Sequence, residues 1–470
     1  MRKTKIVATM GPATDTPGIL RSMIESGVNV IRVNMSHGDY DTHKKRLDFL
    51  KALRNELGVP IPTILDTKGP EIRTGVFPER VTLTAGQKFT LTTRQIDGDK
   101  NGCAISHKGL PKDIVAGQRL LIDDGLIELQ ADKITDTEIS CTVLDGGPVS
   151  SYKGVNVPGI HLSLPYLSDK DKADLRFGKD QDFDYVAASF VRSAEDLRLI
   201  RREIESLGWQ DVRIIAKIEN AEGVSNIDEI IKESDGIMIA RGDLGVEIPL
   251  QEIPSIQKHI IKKAVSAGRQ VITATQMLES MISHPRPTRA ETTDVANAVY
   301  DGTSAIMLSG ETAAGKYPIE AVRTMATIAE RTESDIHYAN RFHNFVEAGT
   351  TDISTAISHA TVGIGLDMNA AALVSATKSG ESVRLISRYR PVQPIIGCTP
   401  KIKVWRQMNL SWGVTPLLIY EVSSTDELID AIVQATVSSN LVKKDDKIVI
   451  SAGVPVGVSG KTNMIKVQVI

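Results

Sequence analysis

Lys217, Glu219 and Asp243 invite a chemical reading before any other residues of this chain. Lysine and glutamate two apart in VRIIAKIE share one face of an extended strand, and Asp243 stands in RGDLG at the end of the next apolar run. A lysine set in an apolar strand is costly to bury without a partner. Two carboxylates with no His or Cys nearby suit a hard cation such as Mg²⁺, which takes one or two protein carboxylates and completes its shell with water and substrate oxygens. A buried Lys–Glu ion pair without metal accounts for the first two residues but leaves Arg241 and Asp243 without a role. The set favours a site for a substrate bearing phosphate or carboxylate.

A second group lies in VNVIRVNMSHG, where Arg32, Asn34 and Ser36 point to one side of a strand that begins as plain core. Asp66 and Thr67 end a similar run, IPTILDT, and Arg73 follows in DTKGPEIRT. Guanidinium forks at Arg32 and Arg73 suit phosphoryl oxygens, and phosphoryl transfer relies chiefly on positioning and charge stabilisation. Thr275 offers a hydroxyl for proton relay, and Gly242 lets its backbone approach a carboxylate. Each has a plainer reading: a rim salt bridge for either arginine, a core threonine for Thr275. Thr9, Ser189 and Ser309 read equally well as hydrogen-bonding residues that close a barrel mouth.

These residues end eight short apolar runs: KIVATM, VNVIRVN, IPTILDT, DYVAASF, VRIIAKIE, GIMIARGD, RQVITATQ and SAIMLSGE. Segments of helical period such as SAEDLRLIRREIESLG lie between most of them. Eight βα units predict an α/β fold, a (β/α)₈ TIM barrel with its site at the C-terminal strand ends. The long gap between Asp66 and Tyr185 predicts an insertion. Its stretches RVTLTAGQKFTLTT, QRLLIDDGLIELQ, DTEISCTVLDGG and YKGVNVPGIHLSLP read as strands of a small β-barrel lid domain. The expected division is barrel over 1–69 and 165–344, lid over 70–164, and a C-terminal open α/β regulatory domain over 345–470, with AALVSATKSGESVRLISRYR, PIIGCTP and DKIVISAG as its clearest units.

At 470 residues and a formal net charge of -3, with no basic block, the chain gives no reason to expect nucleic acid as a partner. No apolar run is long enough for a bilayer, so a cytoplasmic protein is expected, with no membrane partner. Three scattered cysteines indicate neither a disulfide framework nor a zinc site.

VNVIRVNMSHG, LDTKGPEIRTG, KGVNVPG, KIEN, ARGDLGVE, ITATQMLESM, PRPTRAE and MLSGETAAGKYP, in that order along the chain, resemble the pyruvate kinase family. The resemblance implies transfer of a phosphoryl group from phosphoenolpyruvate to ADP, giving pyruvate and ATP in glycolysis, with Mg²⁺ and K⁺ as cofactors and the inserted domain closing as a lid. It implies Glu219 and Asp243 for Mg²⁺, and Asn34, Ser36, Asp66 and Thr67 for K⁺. Arg32 would bind the phosphoryl group, and Lys217 would stabilise it and the developing enolate. Gly242, Asp243 and Thr275 would contact substrate, with Lys217, Thr275 and Arg32 as the catalytic residues. A proton must then reach the methylene carbon of the enolate, and the candidates to deliver it are Thr275 and a bound water, with Ser309 or Glu311 in the relay. Asn34, His37, Arg73 and Lys153 would contact nucleotide. Thr377, Lys378, Ser379 and Ser382 in TKSGES would hold the phosphate of an allosteric phosphometabolite, a glycine turn capped through Ser382 being the alternative. The loop SAGVPVGVSGKTN lacks the tryptophan and arginine that some relatives use for fructose 1,6-bisphosphate, leaving AMP or a pentose phosphate open. A homotetramer is implied. Members that need no K⁺ carry lysine where this chain has Glu71. The residues alone also admit a barrel aldolase with Lys217 as a Schiff-base amine, or a sensor without turnover.

Overall fold

The structure, a computed structural model, describes residues 2–345, 352–456 and 462–470. Eight parallel strands close into a barrel: β1 Lys5–Thr9, β2 Val30–Asn34, β3 Thr63–Asp66, β4 Tyr185–Ala188, β5 Arg213–Ile218, β6 Gly236–Ala240, β7 Gln270–Ala274 and β8 Ala305–Leu308. Each strand pairs with its neighbours in sequence, and β8 returns to β1. They correspond to the eight apolar runs.

Alternation along each strand divides the core in two. Val7, Val30, Ile64, Tyr185, Ala187, Ile215, Met238, Ile272, Ala305 and Met307 form one apolar cluster, the barrel interior. Ile6, Ile31, Leu65, Val186, Ile214 and Ile237 belong to the other, beneath the surrounding helices. The helices follow their sequence signals. Ala194–Ser206 buries Leu197, Ile200 and Ile204 at helical spacing, and a Thr288/Glu291 capping box starts Arg289–Asp301.

The chain leaves the barrel after β3 and builds a seven-stranded sheet in the spatial order Ile72–Arg73, Gly154–Asn156, Arg119–Ile122, Ile127–Ile134, Glu138–Asp145, Lys88–Thr92 and Gly102–Ala104. Its edges meet: Thr74 bridges Ile105, Gly75 N–H donates to Ala104 O at 2.7 Å, and Ser106 N–H donates to Arg73 O at 2.9 Å. The result is a small β-barrel around Phe89, Leu91, Leu120 and Leu129. RVTLTAGQKFTLTT holds two short strands, Val81–Thr82 and Lys88–Thr92. Gln87 N–H closes a turn on Thr84 O at 3.1 Å, with Gly86 at φ +83°.

The C-terminal sheet runs Val414–Leu418, Ile395–Thr399, Ala372–Ala376, Lys447–Ala452 and Met464–Val469, the last antiparallel to its neighbour. The segment after helix Ile402–Met408 stops the bottom of the barrel. Leu410 joins the interior cluster, and Tyr185 Oη donates to Gln407 O at 2.6 Å. Cys103, Cys141 and Cys398 are free and buried. Among the described residues no helix is long and apolar enough to cross a membrane.

Candidate active site

The barrel's own period of two builds the site. Two residues beyond inward-facing Val7, Val30, Ile64, Ala187 and Ile215 stand Thr9, Arg32, Asp66, Ser189 and Lys217. The lumen is apolar midway along the strands and polar in its top layer, and all five of these side chains are buried. Asp66 is the hub: Arg32 Nε donates to Oδ2 at 2.5 Å and Lys217 Nζ to Oδ1 at 3.0 Å. Lys217 also reaches Ser189 Oγ at 2.7 Å and Glu219 Oε1 at 2.9 Å. Arg32 Nη1 donates to Thr9 Oγ1 at 3.2 Å.

The charges set each other's protonation. Burial alone would strip the Lys217 proton, but the Asp66 and Glu219 carboxylates outweigh it and hold the ammonium above the ordinary lysine range. Burial also opposes the Asp66 charge, which Arg32 and Lys217 overcome, keeping it below the usual range. Glu219 is pushed up to about 7 by burial, with Lys217 offsetting only part. Asp243 is raised by burial, with the Asp124 and Glu71 charges adding to it and Lys217 opposing. The two carboxylates at 219 and 243 are thus under-compensated, while Asp66 is not.

Asp243 is not on the strand. β6 stops at Ala240, and helix Arg241–Glu247 begins at once, with Asp243 in its first turn. Gly242 N–H donates to Thr275 Oγ1 at 2.7 Å, and that hydroxyl donates to Ala274 O at 2.6 Å. A Cβ at 242 would meet Thr275 Oγ1 at 3.4 Å, an ordinary contact, so the protein itself does not demand glycine there. Gly69 is different: at φ +72°, a Cβ would come within 2.9 Å of Ser189 Cβ, where the chain departs for the inserted sheet.

Asn34 pairs in register with Asp66 across β2 and β3, and its Oδ1 accepts Ser36 N–H at 3.0 Å. Thr67 O accepts Ser189 Oγ at 2.7 Å. Of this set, Asp66 is the one that holds Arg32. Glu311 is spent on backbone, accepting Leu278 N–H at 3.1 Å and Ser309 N–H at 2.7 Å.

His37, Arg73 and Lys153 stand outside this cluster. His37 is exposed after β2. Arg73 forks onto Glu71 at 2.7–2.8 Å and donates to Tyr152 O at 2.8 Å, while Lys153 pairs with Asp123 at 2.8 Å. Arg73 ends one of the two paired strands through which the inserted sheet joins the barrel, and Lys153 directly precedes the other. Between sheet and barrel runs a 370 Å³ groove lined by Glu71, Asp124, Asn156, Asp243 and Glu247 among others.

In the C-terminal domain Thr377, Lys378, Ser379 and Ser382 line a cavity of about 70 Å³. Thr377 Oγ1 accepts Gly380 N–H at 2.9 Å, and Lys378 pairs with Glu421 at 3.2 Å. Ser382 does not cap the helix: the N-cap is Gly380, and Ser382 Oγ bonds Thr462 Oγ1 instead. Ser379 O accepts Arg213, the first residue of β5. Residues 457–461 of SAGVPVGVSGKTN lie outside the described residues.

Sequence reading missed Arg241, whose guanidinium binds the backbone behind Thr275. The only signal was its position beside Gly242 and Asp243 with no role assigned.

The description "Pyruvate kinase, barrel domain" matches residues 1–322, and "Pyruvate kinase, alpha/beta domain" matches residues 355–468. A pyruvate kinase of Clostridium acetobutylicum is 49% identical, each chain covered in full. One of Geobacillus stearothermophilus is 46% identical, covering all of this chain and 80% of that one. A solved pyruvate kinase from Cryptosporidium parvum superposes with a TM-score of 0.94 at 38% identity, covering 100% of this chain and 96% of that one.

Proposed function

The chain belongs to the pyruvate kinase family, and from that premise we propose that its barrel mouth transfers the phosphoryl group of phosphoenolpyruvate to ADP through Lys217, Arg32 and Thr275. The observation that carries this reading is the Lys217 ammonium, buried yet held charged between Asp66, Ser189 and Glu219. A fixed positive charge in a water-poor site stabilises negative charge that develops during reaction far better than a mobile one. Here that charge passes from the departing phosphoryl group to the enolate oxygen. Arg32, fixed through Nε by Asp66 and through Nη1 by Thr9, would turn Nη2 to phosphoryl oxygens. Thr275 Oγ1 accepts Gly242 N–H and carries a proton that it lends to Ala274 O, and it is the residue we assign to the proton route toward the methylene carbon.

Glu219 and Asp243 suit Mg²⁺: both are oxygen donors, and Lys217 offsets only part of the burial that raises them. Among the described residues no group of three or more His, Cys, Asp or Glu is arranged for a metal, so the ion would draw its other ligands from substrate and water. When bound it would supply Lewis-acid stabilisation of the same oxygens. Asn34, Ser36, Asp66 and Thr67, with one formal charge among them, suit K⁺. Gly242, Asp243 and Thr275 would bind substrate, and Asn34, His37, Arg73 and Lys153 the nucleotide, with residues 70–164 as lid.

The cavity at Thr377, Lys378, Ser379 and Ser382 is assigned to an activating phosphometabolite, and the assembly to a cytoplasmic homotetramer. A coupled assay following ATP from phosphoenolpyruvate and ADP tests the reading, with turnover expected only when Mg²⁺ is present. A borohydride-trapped pyruvate adduct on Lys217 would overturn it.

A further inference from the structure

Thr275 sits on backbone that its residue type resists. φ is +65° at Thr275 and +54° at Gln276, a region costly for any L-residue and most of all for a β-branched one. Two such residues in succession persist only where their surroundings over-determine them. One side chain supplies much of that constraint. The Arg241 guanidinium donates through Nη2 to Thr275 O at 2.8 Å and Gln276 O at 3.4 Å, and through Nε to Ala274 O at 3.3 Å. Nη2 also contacts Met277 Sδ at 2.9 Å. Nη1 is anchored by Asp294 Oδ1 at 2.6 Å, on helix Arg289–Asp301, and by Gln257 Oε1 at 3.4 Å. A planar fork with five donors can span three consecutive carbonyls in this way; a single ammonium cannot. Because Arg241 directly precedes Gly242 and Asp243, the helix start that brings Asp243 into the site also sets Arg241 behind Thr275.

We infer that Arg241 is a positioning residue for the reaction: it locks the Thr275–Gln276 turn in its left-handed form, so that Thr275 Oγ1 stays beside Gly242 and faces the substrate. Arg241 touches no substrate itself, and the inference rests on the proposed role of Thr275.

The test compares Arg241→Lys, Thr275→Ala and the double variant in kcat, in KM for phosphoenolpyruvate, in solvent exchange of the pyruvate methyl protons, and in Tm. Arg241→Lys keeps the charge facing Asp294 but loses the fork. Its kcat is expected to fall about 10- to 100-fold, as for a small misplacement of a reacting group, with methyl exchange falling in parallel and KM changing little. In the Thr275→Ala background the same substitution should cost no more than about twofold, because the two residues act as a unit. Gln276→Gly, which takes positive φ freely, should restore part of the kcat lost in Arg241→Lys. Wild-type kcat in Arg241→Lys, or losses that simply multiply in the double variant, overturns the positioning role. Wild-type turnover in Thr275→Ala overturns the Thr275 assignment and this inference with it, whereas an impaired Thr275→Ala beside an unimpaired Arg241→Lys overturns this inference alone. If Arg241→Lys does not fold, Asp294→Asn, which loosens the anchor, should give the same pattern at smaller size, and unchanged kinetics there count as refutation.

Discussion

Two lysines stand on the inward face of the barrel, Lys217 at the C-terminal mouth and Lys5 at the opposite end, and both are buried. Lys217 has two carboxylates and a hydroxyl within 3.0 Å. Lys5 has a carbonyl, Val414 O at 2.6 Å. Burial pushes Lys5 down to about 7, the Arg2 guanidinium adds to that, and Glu333 opposes it. The same burial at Lys217 is overruled by Asp66 and Glu219. Depth therefore does not separate a lysine that can do electrostatic work from one that plugs a barrel; the company it keeps does.

The comparison breaks first at the mouth. Lys217→Met should lower phosphoryl transfer by about a hundredfold or more, since a preorganised charge at a developing anion is often worth ~3 kcal/mol or above. A variant within tenfold of wild type in steady-state kcat would refute the assignment. Asp66→Asn sharpens the point by removing the carboxylate that Arg32 and Lys217 share, leaving Lys217 to Glu219 and the Asp243 charge. Breaking a buried pair by removing one partner typically costs about 3–5 kcal/mol, so a large loss of denaturant midpoint is expected together with lost activity. An unchanged midpoint would mean that Asp66 is not the hub.

A subtler change adds charge at the mouth. The Glu71 carboxylate, which forks with Arg73, is among the charges that raise Asp243, so it is coupled to the site rather than idle on the surface. Turnover is expected to need K⁺ or NH₄⁺, and Glu71→Lys to reduce that need by supplying a fixed cation. Full wild-type activity in tetramethylammonium salts at matched ionic strength would contradict this. The smallest effect belongs to Lys5. With its folded pKa below the unfolded value of 10.5, its burial penalty is complete below about pH 7, fades as pH rises and is gone above about 10.5. Wild type should therefore gain stability relative to Lys5→Met across that window, by a few degrees of Tm. A flat difference would show that Lys5 stays charged in the fold.

Much of this was legible because period two is written directly into the strands: Val30, Arg32 and Asn34 declare one face without help from structure. Pairings were not, since Asp66 and Lys217 lie 151 positions apart and nothing local marks them as partners. Asp243 was read as a strand end, whereas the chain turns into a helix two residues earlier, at Arg241. The left-handed turn at Thr275 and Gln276 was invisible for a plain reason: ATQM contains no glycine or asparagine, the residues that normally announce positive φ.

The strands that carry the chain out of the barrel and back, Ile72–Arg73 and Gly154–Asn156, are hydrogen-bonded neighbours with Gly154 opposite Arg73. Adjacent strands are about 5 Å apart, so the insertion departs and returns through almost one point. The apolar core of the small β-barrel shares no residue with those of the large one. Such a piece behaves as a cassette. Joining Arg73 to Gly154 by a short turn should leave a barrel that still folds, stripped of Lys153 but with its eight-strand order untouched. Over evolutionary time the insert and the barrel could lengthen, shorten or be exchanged with little geometric consequence for each other.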